Sequence, residues 1–305
     1  MSVDSRRTVL AASAASVIFG ASVVATRFVV AQTNPVSLAF LRYFIATICF
    51  SPVLVAALKL AMPRKDLLAI AALGALFFGI FPWSFSAALV YVPASRVALM
   101  VATTPLVTLV ISRMRGLESI TWPMLGGQIL AMLGLWLALG PSAGSDHTGS
   151  KMWLGIGLTF VTVLCGAIYN VFSRPFLLRY PPLHVTALSM ASGMLFLAPL
   201  AAAKGLFTTA PTFTSTGWMA VAFLGIIGGA LGFSIWIWAL KRSLPSRIAV
   251  FIALNPITAT LLGVLLMHER LTVSFVAGLS CVLSGIFLAN RRPGPTHTSN
   301  RNRAA

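Results

Sequence analysis

Long apolar runs broken by short polar punctuation recur along this chain. Runs long enough to cross about 30 Å of hydrocarbon at about 1.5 Å per residue predict helices over 8–30, 35–58, 67–89, 94–112, 120–140, 152–173, 182–203, 217–240, 245–267 and 271–290. Most connections are short, which makes consecutive helices antiparallel neighbours. Two are longer: Gly140 to Ser150, rich in Gly and Ser, and Lys204 to Thr216, rich in Thr and Pro. After Asn290 the apolar pattern stops, and 291–305 reads as a disordered cytoplasmic tail. The expected fold is an all-α integral membrane protein with ten transmembrane helices.

Composition agrees and removes the alternatives. Of 305 residues, 58% are hydrophobic and 9% charged, whereas a soluble domain carries about 25% charged residues. Disordered chains lack the aliphatic and aromatic residues that dominate here. The net charge of +17 would suggest nucleic acid in a soluble protein, but here it sorts by loop. The N-terminus, the even-numbered loops and the tail hold 16 of the 22 Lys and Arg; the opposite loops hold 3; and Arg27, Arg42 and Arg96 lie within or at the ends of spans. By the positive-inside rule both termini are cytoplasmic, and no nucleic-acid partner is called for. Cys49, Cys165 and Cys281 all fall in apolar runs without metal-type spacing, so they read as small core residues. Ser5-Arg6-Arg7 resembles a twin-arginine export signal, but such signals precede soluble cargo and nine further spans follow this one.

The chain also repeats itself. An offset of 151 pairs Leu73-Gly74 with Leu224-Gly225, Ser95-Arg96 with Ser246-Arg247, Pro105 with Pro256, Glu118 with Glu269, Gly127 with Gly278 and Gly134 with Gly285. A weaker match near 147 pairs Gly20, Arg27 and Pro35 with Gly166, Arg174 and Pro182. The halves, 1–143 and 150–290, hold five helices each. Because five is odd, the second half enters the membrane from the opposite side, as in the inverted repeats of secondary transporters, which place solute near the midplane between the halves. Duplicated membrane folds also serve as channels, and occasionally as enzymes or scaffolds, so the repeat alone does not fix transport.

Pro105-Leu106 followed by Glu118 and by Gly127 to Gly134, repeated as Asn255-Pro256, His268-Glu269-Arg270-Leu271-Thr272 and Gly278 to Gly285, resembles the doubled EamA module of the drug/metabolite transporter superfamily. The resemblance covers nearly the whole chain. It implies a ten-helix, 5+5 inverted fold and points to bacterial inner-membrane exporters of amino acids and related metabolites. The first-half glutamate sits in Gly116-Leu117-Glu118-Ser119-Ile120-Thr121 rather than in a GERLT-like segment, a local departure.

Asp4, Asp66, Glu118, Asp146 and Glu269 all lie outside the predicted spans or at their ends. Proton relays and cation sites use intramembrane carboxylates or histidines, so the pattern favours a neutral or zwitterionic, partly apolar solute moving by facilitated diffusion or exchange. No cofactor is indicated. His268-Glu269 begins a zinc-protease pattern, but the second histidine would fall on Thr272, so neither an enzyme nor a metal site is expected. A nucleotide-linked sugar would require several cavity cations, where only Arg42 is on offer.

The candidate solute contacts are polar or aromatic groups at mid-depth. Asn255 and its repeat mate Thr104 each precede a proline. Pro256 and Pro105 remove a backbone donor and free a carbonyl four residues back, so both helices should kink, either around a cavity or as packing kinks capped by the Asn or Thr. Trp83, Tyr169 with Asn170, and Trp236 sit on helices that the resemblance places around a central cavity, where they would suit an aromatic or bulky amphipathic solute. The competing reading is the interfacial aromatic belt, which Trp238 beside Lys241 fits better. Arg42 either snorkels to water or attracts a carboxylate at an outer vestibule. Gly228 and Gly232 form a GxxxG packing surface. A small-molecule solute and the lipid bilayer are the expected partners; one chain carries both halves, and nothing in the sequence sets an oligomeric state.

Overall fold

A computed structural model describes residues 3–30, 32–92, 97, 100–139, 152–208, 211–267 and 273–290. Arg96, Ser145, the segment 268–272 and the tail, on which sequence expectations also fell, lie outside the described residues. Among the described residues every regular element is helical, and the elements fall into ten stretches, of which five are long and apolar enough to cross a membrane by themselves and a sixth is so as a bent pair. In chain order the stretches begin with α1 (Val3–Val30), α2 (Pro35–Cys49 and Ser51–Leu58), α3 (Arg64–Gly74, Ala75–Ile80 and Phe81–Tyr91), α4 (Thr104–Met114) and α5 (Trp122–Leu139). There follow α6 (Met152–Phe172 and Arg174–Arg179), α7 (Pro182–Ala203), α8 (Ser215–Phe223, Leu224–Leu231 and Gly232–Arg242), α9 (Pro245–Ala249, Val250–Ala253 and Leu254–Met267) and α10 (Val273–Asn290).

Several spans are broken where the sequence predicts continuous helix. The two parts of α2 meet at a 72° bend, with Pro52 in the first turn of the second part, where the missing N–H costs nothing. Both α3 and α8 wind into a π-helical segment, over Ala75–Ile80 and Leu224–Leu231. These are equivalent places in the repeat with different local causes. In α3 the segment ends just before Pro82, which cannot donate back to the preceding turn; in α8 it contains Gly225, Gly228 and Gly229, which loosen helical geometry.

Glycine contacts show how the two sets of five helices meet. A Cβ on Gly127 of α5 would lie 2.5 Å from the Gly285 carbonyl oxygen of α10, and one on Gly134 would lie 2.6 Å from that of Gly278. Gly127 and Gly134 are thus each opposed to the repeat mate of the other, the antiparallel arrangement of a two-fold axis lying across the helices. Backbone therefore meets backbone along this seam, the close approach that drives helix association where no hydrophobic effect operates. The same cross-symmetry recurs elsewhere: Gly74 of α3 abuts Ser189 and Ser192 of α7, while its mate Gly225 of α8 abuts Ile45 and Arg42 of α2.

Loops join the two sets at both ends. At one end Asp66 pairs with Arg179 at 2.6 Å and accepts a 2.5 Å hydrogen bond from the Tyr180 hydroxyl. That bond, ahead of desolvation, raises the Tyr180 phenol above its ordinary range. At the same end Glu118 is buried and accepts from the backbone N–H of Ser246 at 3.4 Å and from its hydroxyl. At the other end the Thr214 N–H donates to Gln32 Oε1 at 3.0 Å. Even-numbered loops thus contact even-numbered loops, and odd contact odd, as ten antiparallel spans require.

Candidate functional site

The π-helical segment of α3 carries Phe77 and Phe78, and both rings join a cluster drawn from five helices. Phe77 stacks on Tyr169 of α6 with centroids 4.3 Å apart and 13° between planes. Phe78 makes edge contacts with Tyr169 at 5.7 Å, with Tyr43 of α2 at 5.2 Å and with Phe233 of α8 at 4.9 Å. Phe19 of α1 extends the cluster to Phe233 at 4.7 Å and to Trp236 at 5.9 Å. Offset and edge-to-face pairs of this kind contribute about 0.5–1.5 kcal/mol each beyond area burial. Together they line the junction between the two sets of helices with rings.

The polar groups predicted from sequence divide on inspection. Asn170, Tyr169 and Trp236 are brought together: all three are buried, and the Trp236 indole N–H donates to Asn170 Oδ1 at 3.4 Å. Trp83 is 41% exposed and stands apart from the cluster, in the same condition as Trp122, Trp136, Trp153 and Trp218, the exposed tryptophans that suit a lipid interface. Trp238 lies under Arg242, whose Cζ is 3.8 Å from the ring centroid, a cation–π contact at the span end.

The two prolines stand in the first turns of helical segments, Pro105 after a turn at Ala102-Thr103 and Pro256 after the 3₁₀ segment Val250–Ala253. The carbonyl that Pro105 frees, on Val101, is capped by the Thr104 hydroxyl at 2.5 Å, which is the packing-kink arrangement. Asn255 differs from its mate. Its side-chain Oδ1 is buried with no hydrogen-bond partner, and its backbone carbonyl oxygen lies 2.6 Å from a Cβ placed on Gly20 of α1. One turn earlier on α1, Ser16 Oγ is also buried and unpartnered. Buried polar groups are normally satisfied, so this seam between α1 and α9 holds polar atoms whose partners the fold does not supply.

Arg42 is half-buried, with its guanidinium 5.6 Å from the Tyr43 ring centroid. An open cleft of about 260 Å³ lies at the α1–α2 and α7–α8 turns, lined by Gln32, Asn34, Ser37, Lys204 and Thr212 among others.

Sequence reading missed Phe19, Phe77, Phe78 and Phe233, although Phe77-Phe78-Gly79-Ile80-Phe81-Pro82 was a visible signal. It also placed Glu118 in a loop without foreseeing its burial, which depends on Ser246 from the other half. The unpartnered Ser16 carried no signal at all.

Comparison with known proteins now adds to this geometry. A profile of the EamA-like transporter family matches the chain twice, over residues 6–140 and 153–291. An uncharacterized transporter of Archaeoglobus fulgidus is 28% identical over 90% of this chain and 95% of its own length. A probable terminal-alkyne amino-acid exporter of Streptantibioticus cattleyicolor is 27% identical over 82% of this chain and 85% of its own. A solved crystal structure matches with a TM-score of 0.76 at 21% identity, covering 92% of this chain and 96% of that one, a likeness of fold.

Proposed function

The chain belongs to the EamA-like transporter family, and from that premise we propose that it exports small metabolites, amino acids first among them, by alternating access at a midplane cavity between its repeats. It is a multi-pass membrane protein whose named relatives are transporters. The repeats we assign are 1–143 and 150–290, with 291–305 as a cytoplasmic tail and both termini in the cytoplasm of an inner-membrane protein. The observation that carries the reading is the junction itself: a cluster of rings shared by both sets of helices, together with Asn255, which packs on Gly20 of α1 and has an unpartnered amide oxygen. Tyr169, Asn170 and Trp236 form its apolar and polar wall, Thr104 and Asn255 mark the helix breaks at Pro105 and Pro256, and Trp83, exposed on α3, stands outside it.

The amino-acid class is supported by the exporter of Streptantibioticus cattleyicolor and by the pairing of rings with amide groups. A different neutral metabolite or a drug-like solute is the second reading, since rings do not by themselves select an amino group. A receptor, a scaffold or an intramembrane enzyme is favoured by none of these features. Purified protein in liposomes preloaded with a mixed amino-acid panel tests the proposal. Efflux of one or more members is expected, with downhill flux nearly unchanged when the pH gradient is collapsed; no efflux of any member, with the protein folded, would remove the amino-acid assignment. Strict dependence on an imposed pH gradient would contradict uncoupled movement and direct attention to His184, His268 or the end-of-helix glutamates Glu118 and Glu269.

Orientation has its own test. With Cys49, Cys165 and Cys281 removed, an impermeant thiol reagent applied to intact cells is expected to label Ser145→Cys and to spare Arg115→Cys. The reverse pattern would invert the topology.

A further inference from the structure

Arg42 does not behave as an arginine near a span end should. It is the eighth residue of α2, and a long basic side chain there would ordinarily run back toward the near interface. One turn back on that side of α2 is Leu38, buried in an apolar cluster with Val29, Val221 and Leu224. The side chain runs the other way. The backbone carbonyl oxygen of Arg42 lies 3.2 Å from the Cβ position of Gly225, while its Nη2 lies 3.4 Å from that of Gly228. Gly228 is the fourteenth residue of the 28-residue span Ser215–Arg242, so the guanidinium is held at mid-depth. Placing a cation there is costly unless something pairs with it. Its Nε is buried without a hydrogen-bond partner, and the carboxylates whose side chains are described are already engaged, Asp66 by Arg179 and Tyr180, Glu118 by Ser246.

Packing does not require this arginine. At the offset that pairs Pro35 with Pro182, Arg42 falls opposite Ser189, and Gly74 meets the Ser189 backbone as Gly225 meets that of Arg42. The same helix crossing is thus built in the other half on a small neutral side chain. What the arginine adds is one positive charge beside the rings: its guanidinium neighbours Tyr43, Tyr43 touches Phe78, and Phe78 touches Phe233 and Tyr169.

We infer that Arg42 binds the carboxylate of the transported solute while the adjoining rings take its apolar remainder, so that the solute class is a monocarboxylate with an aromatic or bulky apolar side chain. This rests on the transporter reading above and narrows it. The site is inside the protein at mid-depth, in place of the outer vestibule that the sequence suggested for Arg42.

Calorimetry on the full-length protein in detergent, with phenylalanine, 3-phenylpropionate and phenylalanine amide as probes, tests the inference independently of flux. The wild type is expected to bind both carboxylates and to bind the amide about tenfold more weakly or worse, because the amide lacks the charge that strengthens a guanidinium hydrogen bond. Arg42→Gln should lose that discrimination and weaken phenylalanine binding about tenfold or more, while its thermal unfolding temperature stays level or rises, since an unpaired cation has been removed. Arg42→Lys should retain part of the preference. Equal binding of acid and amide by the wild type, an intact preference in Arg42→Gln, or no phenylalanine binding at all would overturn the inference. A variant that unfolds earlier yet binds normally when folded would show a structural arginine instead. Efflux from liposomes without carboxylate preference would end this proposal and leave transport standing, whereas binding without efflux of any solute would fault the transporter reading alone.

Discussion

Gly127→Ala is expected to lower the thermal unfolding temperature of the detergent-solubilised protein by several degrees, while Gly126→Ala, one residue away, leaves it level or raises it. A Cβ at position 127 would lie 2.5 Å from the Gly285 carbonyl oxygen and 2.8 Å from Ala289 Cα. Both are backbone atoms of α10, so relief requires the two helices to separate along their whole seam. Overpacking of this kind costs about 1–3 kcal/mol and more where the neighbour cannot yield. At position 126 the nearest atom is a flexible one, Leu288 Cδ2 at 3.7 Å, so the methyl fits and alanine restores about 1 kcal/mol of helix propensity. Intrinsic tryptophan fluorescence during heating reads both variants. Equal shifts for the two substitutions would mean that the α5–α10 seam is not packed as described.

Asn255→Leu should weaken binding of the transported solute by about 1–3 kcal/mol, the cost of removing hydrogen-bonding partners from a buried polar group. Stability should hold or improve, because the Asn255 amide oxygen is already buried without a partner and an apolar side chain of similar volume removes that penalty. The opposite pattern identifies a packing role: early unfolding with unchanged affinity in the folded fraction. Its mate Thr104 shows what a packing role looks like, since its hydroxyl is committed to the Val101 carbonyl. Calorimetry and heating of the same preparation separate the outcomes, and unchanged affinity with unchanged stability would remove Asn255 from the solute pathway.

The sequence by itself determined where the spans run and in what order, but not where their axes break, as at the 72° bend of α2 and the π-helical segments of α3 and α8. Span positions follow from the hydrocarbon thickness and the rise per residue, and the inversion follows from an offset of 151 acting on an odd number of helices. Depth was legible for the same reason, which is why Asn255 and Tyr169 could be singled out. Direction around the axis was not. Lipid and protein interior are both apolar, so a helix that is hydrophobic on every side carries no stripe to tell one face from another. Trp83 and Trp236 read alike as sequence, yet the first is 41% exposed and the second 2%. The polar side chains depended still more on three dimensions. Whether Glu118 finds Ser246, and whether Arg42 turns toward an interface or toward Gly228, are decided by which helices lie beside them, because a buried polar atom is placed by the partners within reach of it, and for these two the neighbours come from the other half of the chain.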